Sequence, residues 1–466
     1  MSTPLVSVCV PARDAERFLA EALASALAQD VALELLVCDD GSRDGTAAVA
    51  ERFAARDSRV RVLRFERPRG VVAARNALLA AARGRYVAWL DADDVLLPGA
   101  LVAQVGVLER RADVAFVHGG AEIIEENGRV LPPWRRPFDR DVVEDGHDAF
   151  GELLLSNEVV TSTAVARRSA LDAAGGFVHV GESSSDWDMW LRLASRGAVA
   201  YRAAPVARYR QHPESISHAA TASGARLRCD ARVIRRALSL CASHGCTKGQ
   251  CSRQARSALA AKALLAAGDF QTRGERAAAL RALALAARER PDLLGAGLAQ
   301  LARAIARGDD YAAHVASDAL LDRLASALVG TRYGDVLAAR AAPDSDWDAA
   351  LKRIARTVRT VTPPDAILGT VTKWDPTLLH LSGRGGRNFP DRASLPAGYP
   401  ADDAVAVAHL EEQRQAGLSH LVFPHASFWW LDHYAGLAER LRAAGPPVHA
   451  DDECVVFDLR PEERLA

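Results

Sequence analysis

No stretch of this 466-residue sequence stays apolar for the roughly 18 residues that a membrane-spanning helix needs. The N-terminus, Met1-Ser2-Thr3-Pro4-Leu5, lacks the basic region and apolar core of a secretory leader, so no signal peptide is expected. Net charge is lacking too. With 58 Lys and Arg against 59 Asp and Glu, the formal charge is −1, and no global pull toward nucleic acid or anionic membrane exists. The cysteines number only seven and form no Cys-x-x-Cys pair, which predicts reduced thiols. Cys241, Cys246 and Cys251, with His244 between and Cys229 upstream, recur at steps that turn side chains apart on a helix, so a zinc site is not expected. These absences predict a soluble cytoplasmic protein that binds no nucleic acid and whose only membrane contact is peripheral, at the inner face.

At this length two or three domains are expected. Up to about residue 120, strand and helix signals alternate. Val6–Val10, Glu34–Cys38, Arg59–Phe65 and Tyr86–Leu90 read as strands. Between them, Phe18, Leu19, Ala22, Leu23, Ala26 and Leu27 recur at helical spacing, Asp44-Gly45-Thr46 opens a helix through Phe53, and a third helix runs from Val71 to Arg83, stopped by Gly84. This rhythm predicts an α/β domain with a mostly parallel sheet and helices on both faces. Further strands are predicted at Val114–Val117, in a hairpin from Glu122 to Val130 turning at Asn127-Gly128, at Ser162–Ala166 and at Val206–Arg210. Trp187, Trp190, Leu191 and Leu193 mark a short amphipathic helix.

We place the first domain at residues 1–220. Residues 221–340 carry Ala, Leu and Arg at helical spacing without a repeat period and read as an α-helical linker or packing region, in which Pro291 breaks one run. Residues 341–466 read as a small α/β domain. Its strands are Ala366–Val371, Leu378–Leu381, His420–Phe423 and Cys454–Leu459, and its helices Ala404–Ala416 and Trp429–Ala444.

Two acidic clusters fall just past predicted strands: Asp39-Asp40-Gly41-Ser42 and Asp91-Ala92-Asp93-Asp94. Like charges repel, so three carboxylates in one turn are costly unless a cation binds there. Hard divalent ions prefer such oxygen ligands. In parallel sheets ligands bind beyond the carboxyl ends of the strands, where both clusters lie. The pattern predicts one site for a metal-chelated, phosphate-bearing ligand, with Asp93 and Asp94 nearest the ligand.

Taken in order, Val6-Ser7-Val8-Cys9-Val10-Pro11, Asp39-Asp40-Gly41-Ser42 with Asp44-Gly45-Thr46, Ala74-Arg75-Asn76 and Asp91-Ala92-Asp93-Asp94 resemble the family 2 glycosyltransferases of GT-A fold, over about residues 5–215. The resemblance implies a mixed, Rossmann-like sheet, a nucleotide-diphospho-sugar donor, an inverting mechanism and Mn2+ or Mg2+. By position it assigns Pro11 and Arg13 to the nucleotide pocket and Asp40 to the base, with Asp39 beside it. Arg75 would approach base or diphosphate. Asp91 is the first acid of the metal motif, Asp93 would serve ribose and metal, and Asp94 the metal. Arg13-Asp14 stands where the family often has Tyr-Asn.

The segment Ser183-Ser184-Ser185-Asp186-Trp187-Asp188 matches the family's late acidic motif, with Ser185 replacing a Glu. Asp186 aligns with the general base that takes the proton of the attacking acceptor hydroxyl. An Asp ahead of Trp187 is also a frequent helix cap, and the sequence leaves both roles open. Tyr209-Arg210-Gln211-His212 resembles the segment that closes the family's site, where His212 would touch metal or diphosphate. Gly175-Gly176-Phe177 resembles the structural turn before the base, and Thr161-Ser162 would face the acceptor.

The Gln-x-x-Arg-Trp motif of processive synthases is missing, which favours single addition to a glycan or lipid-linked acceptor, in cell-surface polysaccharide synthesis. A sugar nucleotidyltransferase would want a Gly-rich basic loop, which Pro11-Ala12-Arg13-Asp14 is not. The other competing reading is a catalytically inactive glycan-binding scaffold. In the last domain, Ser382-Gly383-Arg384, Phe389-Pro390 and Phe423-Pro424-His425 with Phe428-Trp429-Trp430 resemble a tail module of bacterial surface-polysaccharide glycosyltransferases. Trp429 and Trp430 either stack on sugar rings or anchor a helix on the sheet.

Overall fold

The structure, a computed structural model, describes residues 3–131, 137–181, 183–240, 248–307, 310–341, 347–371, 386–390, 400 and 402–460. Two compact units divide the chain: Met1–Leu259 with Gly330–Tyr333, and Ala260–Val329 with Gly334–Ala466.

The first unit begins with the expected alternation. β1 (Val6–Ala12), α1 (Glu16–Leu27), β2 (Leu33–Asp39), α2 (Thr46–Arg56), β3 (Val60–Arg64), α3 (Val71–Ala81) and β4 (Tyr86–Trp89) follow one another. β1 pairs in parallel with β2 and with β4, and β2 with β3. Every residue of β1 and β2 is buried, so these strands are apolar runs rather than alternating ones. Val6, Val8 and Val10 pack with Leu19 and Leu23 of α1. Gly84 has a different task from the expected helix stop. A Cβ there would lie 2.5 Å from the backbone N of Ser7, so the glycine lets the chain pass close against β1.

β5 (Val95–Leu96), α4 (Ala100–Arg110), β6 (Val114–Glu125), β7 (Val142–Glu144), α5 (Gly146–Leu155), β8 (Val165–Arg167), α6 (Arg168–Ala174), α7 (Ser185–Ala194) and β9 (Ala198–Gln211) complete the sheet, in the order β3-β2-β1-β4-β8-β6-β9-β5 with β7 on β9. β8 runs antiparallel between β4 and β6, so the sheet is mixed. β6 and β9 are longer than their sequence signals because they pair in parallel along their length, with register breaks around Gly119 and Gly120 that mask the alternation. The expected hairpin at Asn127-Gly128 is present and short: Gly128 N donates to Glu125 O (3.0 Å), Glu125 N to Arg129 O (2.9 Å) and Leu131 N to Ile123 O (2.8 Å), with Ile124 bridged to Val130. Ser162 falls in a tight turn, Thr161–Thr163, before β8 rather than in a strand. Helices α8 (Ile216–Ala222) and α9 (Ala225–Leu238) follow β9.

His118, on β6, is buried against Phe116 and Tyr201, with ring centroids 6.0 and 5.1 Å away. Burial, and then the charge of Arg332, depress its pKa to about 3. In the unfolded chain a histidine titrates near 6.5, so the unfolded state takes up a proton that the folded state refuses. This contribution to stability is complete above pH ~6.5 and is lost as pH falls toward 3. His118→Phe is expected to flatten that part of the stability–pH curve, measured by urea unfolding at pH 7 and pH 5. An unaltered slope would overturn the assignment.

The second unit contains the helices Arg276–Glu289, Pro291–Arg307, Asp310–Ser326 and Trp347–Val361. Pro291 does not merely end a run. It opens the next helix, where its missing N–H costs nothing. β10 (Leu368–Val371), β11 (Gly386–Phe389), β12 (His420–Pro424), β13 (His449–Ala450) and β14 (Cys454–Asp458) form a mixed sheet in the order β11-β10-β12-β14-β13. One face packs on Ile354, Ala355 and Val358 of the helix Trp347–Val361. The other packs on Leu410, Trp430, Leu437 and Leu441, from the helices Asp403–Gln415, Trp429–His433 and Ala435–Ala443. Trp430 is 2% exposed and anchors its helix, while Trp429 is 38% exposed. The predicted strand Leu378–Leu381 and the Ser382-Gly383-Arg384 motif lie outside the described residues.

Cys9, Cys38, Cys229 and Cys454 are buried free thiols, as expected. Cys251 corrects the expectation of reduced thiols throughout, because it is disulfide-bonded. Cys241, Cys246 and His244 lie outside the described residues. No described helix is long and apolar enough to cross a membrane.

Candidate active site

The strand order runs outward from β1 to β3 and then resumes on the other side of β1 with β4. Beyond the carboxyl ends of these strands opens a cavity of about 970 Å³, at the crevice where such sheets bind ligands. The loops after β1 and β2 brace each other across it. Asp14, in the left-handed region at φ 48°, accepts from Arg43 N (2.8 Å) and donates its own N–H to Ser42 Oγ (3.0 Å). Glu16 Oε2 accepts from Gly45 N at 2.9 Å. Pro11 and Arg13 line the cavity, Arg13 with its guanidinium 3.5 Å from Asp14.

The acidic pair after β2 divides its work. Asp40 lines the cavity and accepts the N–H groups of Arg69 (2.6 Å) and Gly70 (2.9 Å), which hold the entry to α3. Asp39 does not reach the cavity. It is fully buried, accepts from Ser42 N at 3.1 Å and faces Arg64 Nε at 3.4 Å. The expectation that Asp39 contacts the nucleotide is therefore corrected: the strand's alternation turns it inward, and it shapes the turn that presents Asp40.

A similar split organises the turn after β4. Asp91 and Asp93 line the cavity, but Asp94 is 0% exposed and lies beneath. Asp94 Oδ1 accepts from Arg210 N at 2.9 Å and Oδ2 from Ser162 Oγ. Its expected role as a direct metal ligand is corrected to a structural one. Arg75 Nη2 pairs with Asp91 Oδ1 at 3.0 Å, and His212 Nε2 lies 2.9 Å from Asp93 Oδ2. Burial raises the Asp91 carboxyl. Arg75 lowers it in part, and the charge of Asp93 raises it again. Asp94 is pushed well above its ordinary value by burial and then by Asp93 and Asp91. The three carboxyls thus carry mutual repulsion that Arg75 only partly offsets.

Asp186 occupies the first turn of α7 and lines the same cavity. Its Oδ2 accepts from Asn157 Nδ2 (3.1 Å) and Thr161 Oγ1 (3.2 Å). It does not cap the helix. The residue before α7 is Ser184, and no side chain caps its N-terminus. Thr161 thus lines the cavity beside the base candidate, whereas Ser162 turns beneath the acidic motif, donating to Asp94 and accepting from Asp91 N at 3.0 Å. Ser162 therefore does not face an acceptor.

Arg210, which no motif assignment singles out, ties the acidic turn to its surroundings. Its Nε donates to Asp93 O (2.8 Å), its Nη2 to Glu21 Oε2 (2.7 Å), and its guanidinium lies 4.8 Å from the Phe18 ring centroid. Its position inside Tyr209-Arg210-Gln211-His212 was the only available signal. Asn76 is similar: its amide clamps Phe177 through N–H and C=O bonds of 2.7 and 2.9 Å, which makes Gly175-Gly176-Phe177 a structural turn, as expected. Phe177 in turn sets its ring on Trp89, with centroids 4.9 Å apart.

The model of "Glycosyl transferase family 2" matches residues 7–172. The chain is 31% identical over 198 residues to UDP-Glc:alpha-D-GlcNAc-diphosphoundecaprenol beta-1,3-glucosyltransferase WfgD of Escherichia coli, covering 41% of this chain and 71% of that protein. It is likewise 31% identical over 208 residues to the putative glycosyltransferase EpsE of Bacillus subtilis (strain 168), covering 43% and 70%. The crystal structure of S. aureus TarS 1-349 superposes with a TM-score of 0.49 at 17% identity, covering 67% of this chain and 90% of that one. The fold is that of a glycosyltransferase, and the chain belongs to glycosyltransferase family 2.

Proposed function

We propose that this glycosyltransferase moves one sugar from a nucleotide-diphospho-sugar to a hydroxyl of a glycan or lipid-linked acceptor, with inversion, in the assembly of a bacterial cell-surface polysaccharide. One observation carries the reading: Asp40, Arg75, Asp91, Asp93, His212 and Asp186 all line one cavity of about 970 Å³. The name of the Escherichia coli relative, with its diphosphoundecaprenol-linked acceptor, supports the acceptor class.

The chain's own groups divide the task. Pro11, Arg13 and Asp40 form the nucleotide end. Arg75, held by Asp91 and set 5.4 Å from the Phe177 ring centroid, brings a fixed positive charge to the diphosphate. Asp186, positioned by Asn157 and Thr161, takes the proton from the acceptor hydroxyl as its oxygen attacks the anomeric carbon from the face opposite the diphosphate. The partly offset repulsion in the acidic turn and the paired carboxylate and imidazole of Asp93 and His212 suit Mn2+ or Mg2+, which these two residues would hold. Bound there, the ion would neutralise the charge that develops on the leaving diphosphate.

The test is a panel of nucleotide-sugars scored by thermal shift and by sugar release, with and without Mn2+. One donor that stabilises the protein and turns over only with the metal is the expected result. No shift and no turnover with any donor would transfer the weight to an inactive scaffold.

A further inference from the structure

The segment that delivers Asp186 is gripped from behind by a single helix, α9, which lies beyond the 7–172 stretch that the family model matches. Three α9 side chains reach it. Asp230 Oδ1 accepts from Ser184 Oγ at 2.8 Å, Arg232 Nη1 donates to Val180 O at 3.1 Å, and Arg236 Nε donates to Asp188 Oδ1 at 2.9 Å. A fourth contact is steric: a Cβ on Gly181, at φ +133°, would lie 2.4 Å from Cys229 Sγ. Asp230 and Asp188 are 6% and 4% exposed, so the two accepting carboxylates are buried, although the bonds themselves are only partly shielded and the Arg236 side chain is 48% exposed.

Ser184 is where the grip bears on chemistry. It sits at φ 65°, ψ 13°, the left-handed region, which is strained for a residue with a Cβ. Such a conformation persists only when its surroundings impose it. The Ser184 carbonyl accepts from Asp188 N and its hydroxyl lies 3.3 Å from Ser183 Oγ, but its shortest bond is the 2.8 Å one to Asp230, and α7 begins at the next residue, with Asp186 in its first turn. A relaxed Ser184 would change the direction in which α7 starts, and Asp186 would move against Asn157 and Thr161.

We propose that Asp230 is a positioning residue for the transfer reaction, holding Ser184 in its left-handed conformation so that the first turn of α7 aims Asp186 at the acceptor hydroxyl. The inference rests on the reading of Asp186 as the base. It adds a requirement outside every motif of the family resemblance.

The test compares Asp230→Ala, Asp230→Asn and Ser184→Gly in the full-length protein, with Asp186→Asn as reference. Asp230→Ala is expected to lower kcat roughly 10- to 100-fold, the scale on which small misplacements act, with donor KM unchanged. Asp230→Asn keeps an oxygen that can accept from Ser184 and is expected to restore most of the rate. Ser184→Gly removes the steric cost together with the bond. It is expected to stay as stable as the parent and yet lose rate as Asp230→Ala does, and adding Asp230→Ala to it should cost little more. A kcat within twofold of the parent in Asp230→Ala overturns the proposal, as does a loss that follows the melting temperature and is not rescued by Asn. If Asp186→Asn keeps full transfer, the base assignment fails and takes this proposal with it. If Asp186→Asn is inactive while Asp230→Ala is normal, only this proposal fails.

Discussion

Asp186→Asn should lower kcat by about 10²- to 10⁴-fold while leaving donor binding and thermal unfolding close to those of the parent. Both protein bonds to this carboxylate fall on Oδ2, from Asn157 and Thr161, and among the described residues Oδ1 has no protein partner. That leaves one oxygen to meet the acceptor hydroxyl. Asn is nearly the same shape and can still accept at one position, so the fold loses little. What it cannot do is take a proton. A steady-state assay with saturating donor and acceptor reads the loss directly, and a variant that keeps more than about a tenth of the parental kcat would remove Asp186 as the base.

The second large effect belongs to the acidic turn. Asp93→Asn and His212→Ala should each raise the Mn2+ concentration for half-maximal activity by about 10- to 100-fold, and chelation of the parent should bring it to the same low level. Asp94→Ala should act differently although it is the neighbouring residue. It strands two buried donors, Arg210 N–H and Ser162 O–H, at a cost of about 1–3 kcal/mol each, partly offset by relief of the repulsion around it. Its signature is therefore a lowered thermal midpoint in the absence of metal or donor. If Asp94→Ala melts with the parent but loses its metal response, the division of labour drawn here between Asp93 and Asp94 is wrong.

Much of this was legible before any coordinate. A parallel sheet with buried strands leaves a strong imprint, because β1, β2 and β4 must be apolar at nearly every position and their helices must carry one apolar stripe. The acids at the ends of β2 and β4 stand out because nothing in a folding argument asks for carboxylates there. The later strands were harder. β6 and β9 break register around Gly119 and Gly120, so no period of two survives along their length, and the two-residue β5 is shorter than any pattern. Ser162 and Thr163 have the composition of a strand and form a turn instead: the Thr163 hydroxyl bonds back to Val160 O three residues earlier, while the Ser162 hydroxyl is drawn to Asp94, 68 residues away.

Local pattern thus settled which residues are strands, which are helices and which motifs flank the site, since periodicity and turn chemistry act over a few residues. Adjacent acids could not be told apart in that way. Asp39 and Asp40, or Asp93 and Asp94, look alike in the sequence and differ in the fold only by which way the backbone turns. That direction is set by partners far along the chain, such as Arg69 for Asp40 and Arg210, 116 residues away, for Asp94. The same holds for His212, which reaches Asp93 across 119 residues, and for Asp230, which reaches Ser184 across 46. Such contacts exist only once the sheet has closed and brought its strand ends to one edge. Tertiary packing alone therefore decided which acid faces the cavity and which holds the turn beneath it.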